Sequence, residues 1–314
     1  MINLFYIKLI ALALFTPIIS CSQEAEVNTP NQPQVTSTTN FLPGTSEGIL
    51  DNKELIEISG LAASTTFKNS LWVHNDSGND PVLYLVSIDA KLMRTYFLEV
   101  PFNIDWEDMS MGPGPDKNQQ YIYIGDIGDN QQKRTEKYIY RFSEPSALDK
   151  NSTALDTIRQ VEIFTFTYPS EQENAEAMMV DPLTGDIYIV AKNLKAPSIY
   201  KIAADKLVAD ELITPELIGE LNISSESMFD LITAGDISDD GREILIKSYG
   251  KVYYWLNEGN VALSELLTTV PDTLEYTVEP QGEAITFSND PNGFFTISEK
   301  RFNQLPVMYF YGRE

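Results

Sequence analysis

Ile58-Ser59-Gly60-Leu61, Trp106-Glu107-Asp108-Met109, Ala175-Glu176-Ala177-Met178, Ala234-Gly235-Asp236-Ile237 and Gly282-Glu283-Ala284-Ile285 open five similar sets of short strands. In each set, a strand headed by a small or acidic residue is followed by a turn, a strongly apolar strand, a polar loop and a Tyr-rich strand. The spacing predicts second strands at 71–74, 121–125, 187–191, 243–247 and 293–297, and third strands at 83–88, 138–142, 198–202, 252–256 and 307–311. β-branched and aromatic runs separated by Gly, Asn, Asp and Pro are an all-β signature, and only 203–212 reads as briefly helical. A unit of three or four strands buries its faces only against the next unit, so the repeat predicts a β-propeller, with five blades expected. The last set is one strand short. Residues 48–57 can supply that strand and close the ring by joining the two chain ends. The gap between Met109 and Met178 leaves room for a sixth blade, and strands at regular spacing also suit a β-sandwich.

The 314 residues carry 22 Lys and Arg against 46 Asp and Glu, a formal charge of −24, which excludes a nucleic-acid duplex as partner because phosphate binding needs a basic face. Hydrophobic content of 43% is too high for a disordered acidic chain. One Cys and one His rule out an intramolecular disulfide and every zinc site built from His and Cys. Calcium or another divalent cation with oxygen ligands stays open as a cofactor.

Residues 1–20 hold one charge, Lys8, and an apolar run at 9–15 too short to span a bilayer, the pattern of a signal peptide. Ile18-Ile19-Ser20-Cys21 resembles the bacterial lipobox. That resemblance implies cleavage before Cys21, lipidation of its thiol and new amino terminus, and export to the bacterial cell envelope with the membrane as partner. Residues 21–46 are mostly Gln, Asn, Thr, Ser, Pro and Glu and read as a flexible tether; the β-propeller domain is expected over 47–314.

Within an antiparallel blade, the start of the first strand and the end of the second lie at the same end. This gathers Ser59, Glu107, Glu176, Gly235 and Glu283 with His74, Asn75, Asp76, Asp126, Lys192, Lys247, Glu299 and Lys300 around one mouth of the central channel. Three Glu at equivalent positions would repel one another. A divalent cation held by Glu107, Glu176 and Glu283 would relieve this, as would the nearby Lys residues, partial protonation, or hydrogen bonds from backbone amides. Asp76 and Asp126 each begin an Asp-x-Gly stretch that serves equally as a tight turn or as part of the rim, with Gly78, Gly128 and Asn130 assigned to the turns. Asp236–Gly241 starts like a calcium loop, but Lys247 stands where the bidentate Glu belongs, so it reads as a hairpin turn. His74 is the only imidazole, no Gly-x-Ser-x-Gly elbow accompanies it, and it reads as a structural residue. Trp72, Trp106 and Trp255 are expected between blades.

Ile58-Ser59-Gly60-Leu61, His74-Asn75-Asp76-Ser77-Gly78, Asp105-Trp106-Glu107-Asp108 and Gly125-Asp126-Ile127-Gly128-Asp129-Asn130 together resemble a group of uncharacterised bacterial secreted or lipid-anchored β-propellers, distantly similar to phytase-like and esterase-like propellers. The resemblance covers about residues 55–145 and implies the propeller fold without an activity. Two functions are carried forward. One is a binding module whose acidic, Tyr-rich mouth meets an extracellular or periplasmic ligand or protein. The other is a metal-assisted hydrolase of phosphoesters or glycans, using the same carboxylates with Lys192, Lys247 or Lys300 toward a phosphate.

Overall fold

A computed structural model describes residues 41–146, 156–224, 226–289 and 292–313. The expected signal peptide, Cys21 and the tether up to residue 40 lie outside the described residues. Strand β1 (Thr45–Ile49) belongs to the last blade. Blade I contains β2 (Ile58–Ala63), β3 (Ser70–Asn75), β4 (Val82–Ser87) and β5 (Leu92–Leu98). Blade II begins with β6 (Trp106–Gly112), β7 (Tyr121–Asp126) and β8 (Lys137–Ser143). The chain then runs back to lay β9 (Asp156–Ile158) parallel to β5, and returns to complete blade II with β10 (Glu162–Phe166). Blade III contains β11 (Ala175–Val180), β12 (Ile187–Ala191) and β13 (Ser198–Ile202); β14 (Leu212–Ile213) pairs parallel with β10, and β15 (Glu216–Glu220) completes blade III. Blade IV is β16 (Ile232–Ile237), β17 (Glu243–Ser248), β18 (Val252–Leu256) and β19 (Asp272–Leu274). Blade V is β20 (Gly282–Ser288), β21 (Gly293–Ser298) and β22 (Val307–Gly312), with β1 on its outer edge.

The protein is an all-β propeller of five blades. Among the described residues neither a sixth blade nor a two-layer sandwich is formed: within the 109–178 gap, β9 and β10 extend sheets already present. The ring is closed by an N-terminal strand, which lies at Thr45–Ile49 rather than within 48–57. Residues at the end of the expected tether are held by the sheet: Phe41 bridges Arg313, and the Leu42 amide donates to Gly312. The expected helical stretch is only a 3₁₀ turn at Ala204–Lys206.

Strand alternation explains the absence of a single core. Along β7, Ile122 and Ile124 face blade I while Tyr121 and Tyr123 face blade III. On β12, Ile187 and Ile189 face blade II while Tyr188 and Val190 face blade IV. A period of two thus gives inner strands such as β7 and β12 two buried faces. Five apolar clusters result, one per blade interface. Trp72 and Trp106 fill the interface of blades I and II and Trp255 that of III and IV, as expected.

The first strands β2, β6, β11, β16 and β20 are sheet edges that meet one another around the axis. Side chains satisfy backbone donors of these buried edges. The Asp108 carboxylate on β6 accepts from the Met178 amide of blade III at 2.9 Å and the Gly235 amide of blade IV at 3.1 Å. Ser110 accepts from Val180, Asp236 from Phe287, and Thr286 from the Ala63 amide. Each acceptor serves a blade further along the ring, so closure is cooperative. A chain starting at Leu50 instead of Phe41 leaves β22 as a bare edge and removes the Phe41 contacts with Tyr254 and Phe294. Its melting temperature, measured by circular dichroism, should fall by about 10 °C, as a loss of a few kcal/mol implies for a domain of this size.

Candidate functional site

All five pairings of first and second strand carry a register shift near the same end, between Ile58 and Gly60, Trp106 and Asp108, Ala175 and Ala177, Ile232 and Ala234, and Gly282 and Ala284. The residues inside these bulges are Ser59, Glu107, Glu176, Thr233 and Glu283. A bulge adds one residue without a cross-strand partner and re-aims its side chain. The fourth equivalent residue is therefore Thr233; the expectation of Gly235 was displaced because the blade IV bulge falls two residues earlier. Gly235 instead donates its amide to Asp108.

Ser59 Oγ donates to the Glu107 carbonyl at 2.5 Å and lies 3.5 Å from Glu107 Oε2, while Thr233 Oγ1 donates to the Gly282 carbonyl at 3.1 Å. Lys192 Nζ is ion-paired with Glu176 and donates to the Tyr249 hydroxyl at 2.8 Å, and Tyr249 donates to Glu283 Oε1 at 2.9 Å. This chain joins blades III, IV and V. On the other side, carboxylate oxygens of Asp76, Asp105 and Glu107 lie within 4.8 Å of one another. Gly128 makes that grouping possible: a Cβ there would stand 2.1 Å from Glu107 Oε1 and 2.5 Å from Asp105 Oδ2. Gly78 is a turn residue, with φ +75°.

Crowding and burial raise the proton affinity of these acids. Burial pushes the Asp76 carboxyl up to about 6, with Asp105, Glu283 and Glu57 adding to the rise. Burial and the neighbouring Glu176, Asp76 and Asp105 hold Glu107 well above the usual carboxylate range. Glu176 is raised chiefly by burial, against the pull of Lys192. Glu299 rises to about 9 through burial and the charges of Glu283, Asp76, Glu57 and Glu176. Lys192 is held above the usual ammonium value because Glu176 and Glu283 outweigh its desolvation.

The structure thus brings Asp76, Glu107, Glu176, Glu283, Lys192 and Glu299 to one mouth. Three other expected rim residues are turned to structural work. His74 is fully buried, edge-on to the Trp106 ring at 5.4 Å, with Nδ1 donating to the Asn75 carbonyl. Lys247 is buried between blades IV and V, donating to the Gly282 carbonyl at 2.7 Å, 3.7 Å from Glu279 and over the Tyr276 ring. Asp126 accepts from the Ile104 and Asp105 amides and pairs with Arg134 at 2.6 Å, ordering the loop that presents Asp105. Lys300 is exposed, and its amide donates to Ile56. The site also includes Asp105 and Tyr249. Asp105 stands two residues before Glu107, whereas Tyr249 sits in a hairpin with no repeating signature. The hairpin turn read at Asp236–Gly241 is formed by Ser238–Gly241 at the opposite end of the ring, with Asp236 and Ile237 still in β16.

The fold and this opening define a five-bladed β-propeller with an acidic mouth. No family model and no curated protein matches the chain. Solved structures similar to it include a luciferin-regenerating enzyme at 8% identity, covering 82% of this chain and 93% of that one with a TM-score of 0.45. A chain of a nidogen/laminin complex is 12% identical over 78% and 73%, with a TM-score of 0.42. The Dos1 propeller is 14% identical with a TM-score of 0.37; the match covers 82% of this chain and spans 60% of that structure. These likenesses concern the propeller fold alone.

Burial of His74 lowers its pKa to about 4, opposed only in part by backbone hydrogen bonds at Asn75 and Asp108. Its folded pKa lies below its unfolded one, so the associated stability is complete above about pH 6.5 and is lost as pH falls toward 4. A shift of this size corresponds to roughly 3 kcal/mol. In urea titrations, His74→Asn should flatten the decline of unfolding free energy between these pH values; an unchanged slope would show that the imidazole takes its proton without opposing the fold.

Proposed function

We propose that this protein is a lipid-anchored, exported binding module whose mouth takes a divalent cation, calcium by the oxygen-only character of its donors, and presents it to an extracellular or periplasmic ligand. The observation that carries the reading is the repeated bulge: Ser59, Glu107, Glu176, Thr233 and Glu283 occupy equivalent positions, and three are carboxylates. With Asp76 and Asp105 alongside Glu107, hard oxygen ligands outnumber the single ammonium of Lys192 that is ion-paired there. Such a set suits a cation that accepts six to eight oxygens. Asp76, Asp105 and Glu107, whose carboxylate oxygens converge within 4.8 Å, are the proposed first ligands, and Glu176 and Glu283 would join them on giving up Lys192 and Tyr249. The ion would supply the positive charge that the raised carboxyl pKa values call for.

A metal-assisted phosphoester hydrolase would use the same ion to activate water and a lysine to meet the phosphate. The engagement of Lys192 by Glu176 and Tyr249, and the burial of Lys247, leave only Lys300 exposed of the three candidate lysines, which favours binding over that reaction.

Saturating calcium should raise the melting temperature by roughly 5–10 °C, as ligand at about a hundred times Kd adds close to 2.7 kcal/mol. The Glu107→Gln, Glu176→Gln double variant should lose that shift, and a wild type indifferent to calcium would sink the cation reading. Membrane attachment is assigned to Cys21 through the lipobox resemblance of Ile18-Ile19-Ser20-Cys21. On fractionation of bacterial cells, Cys21→Ser should leave the membrane pellet; a variant still found there would refute the anchor.

A further inference from the structure

The triplet Asn-x-Ser/Thr, with x other than Pro, is the acceptor pattern for N-linked glycans in exported proteins, and it occurs at Asn75-Asp76-Ser77, Asn151-Ser152-Thr153 and Asn222-Ile223-Ser224. Bacterial transfer enzymes also require an acid two residues before the Asn. Glu220 meets that requirement for Asn222 and Asp149 for Asn151, whereas Val73 fails it for Asn75. Asn151 lies outside the described residues. Asn75 is buried, and its amide nitrogen, the atom that would be modified, donates to the Glu54 carbonyl. Asn222 is exposed. The stretch around it turns its recognition groups outward. Strand β15 ends at Glu220, opposite Ser198, and the Leu221 amide still donates to the Pro197 carbonyl at 2.9 Å. Beyond that bond the chain leaves the sheet and burial alternates: Leu221 and Ile223 pack into the apolar interface of blades III and IV, while Glu220, Asn222 and Ser224 are exposed. Two apolar residues thus anchor the segment and leave the three residues of the acceptor pattern on its outer side. Ser224 Oγ lies 3.4 Å from Glu226 Oε1, a long contact that it can give up. Because β15 is the outermost strand of blade III, the segment stands on the outside of the ring, where a large enzyme can reach it.

We propose that Asn222 is the acceptor of an N-linked oligosaccharide, with Glu220 and Ser224 as its recognition residues. The inference rests on the reading of the protein as exported from a bacterial cell, where such transfer takes place. The co-reactant is an oligosaccharide activated as its polyprenyl diphosphate. Asn222 Nδ2 attacks the anomeric carbon of the first sugar. The new carbon–nitrogen bond forms as the bond from that carbon to the diphosphate oxygen breaks; polyprenyl diphosphate leaves and Nδ2 gives up one proton. Nothing is oxidised or reduced.

The test produces the full chain in bacteria that carry a periplasmic oligosaccharide transferase and its lipid-linked donor, and maps the peptides by mass spectrometry. A glycan should appear on the peptide containing Asn222, and Asn75 should stay bare. Asn222→Gln, Ser224→Ala and Glu220→Gln should each abolish that glycan, whereas Ser224→Thr and Glu220→Asp should keep it. All these changes lie on exposed positions and should leave the melting temperature in place. The full chain extended at its C-terminus by a tag of the same acceptor pattern reports export. A modified tag beside a bare Asn222 overturns the acceptor proposal and leaves the export reading standing; a bare tag defeats the export reading, and this proposal falls with it. A glycan that persists in Ser224→Ala or Glu220→Gln would overturn the roles given to those residues.

Discussion

A single extra residue in each first strand governs both the ring and its opening. Side chains along a regular strand alternate between the two neighbouring blades, so an uninterrupted first strand would commit every residue to a blade interface. The bulge suspends that alternation for one position near the mouth and resumes it further in. Glu107, Glu176 and Glu283 are released there from the blade interfaces. Ser59 and Thr233, in the other two bulges, use their hydroxyls to reach the next blade. The same irregularity therefore concentrates charge and stitches adjacent sheets.

Five sheet edges facing a common axis create a second demand, because backbone groups buried there have no strand to pair with. Asp108, Ser110, Asp236 and Thr286 answer it by accepting amides from other blades. Buried carboxyls raised in proton affinity thus occur at two depths, with different partners. Asp108 and Asp236 accept mainly from the backbone and hold the ring. The mouth acids face mostly one another and Lys192, which leaves them chemically unspent. This contrast in hydrogen-bond supply separates scaffold from site more clearly than burial does, since Glu107 and Asp108 are both buried.

Much of this arrangement is legible along the chain. The apolar second strands and Tyr-rich third strands recur visibly because each must fill two interfaces, and the Glu residues stand out because they recur in phase. Ring closure was readable from the missing strand of the last set, though Thr45–Ile49 has little apolar content to mark it. The rim was legible only in part. Placement at a strand end says which mouth a residue approaches, yet Lys247 and His74 turn between blades, where Gly282 and Gly60 leave space for them. Tyr249 joins the site from a hairpin that repeats nothing.

What the amino-acid sequence determined alone is the repeat and the kind of atoms it carries: all-β units of like pattern, one His, one Cys and a large excess of carboxylates. Periodicity is a local property, set by whether successive side chains face the same or opposite sides, and it survives without coordinates. Only the tertiary structure decided that the fourth bulge holds Thr233, that Asp76 and Asp105 approach Glu107 past Gly128, and that Lys192 is held between Glu176 and Tyr249. Those facts depend on register and on blades meeting across the axis, where a shift of one residue redirects a side chain and no local pattern records the neighbour it will face.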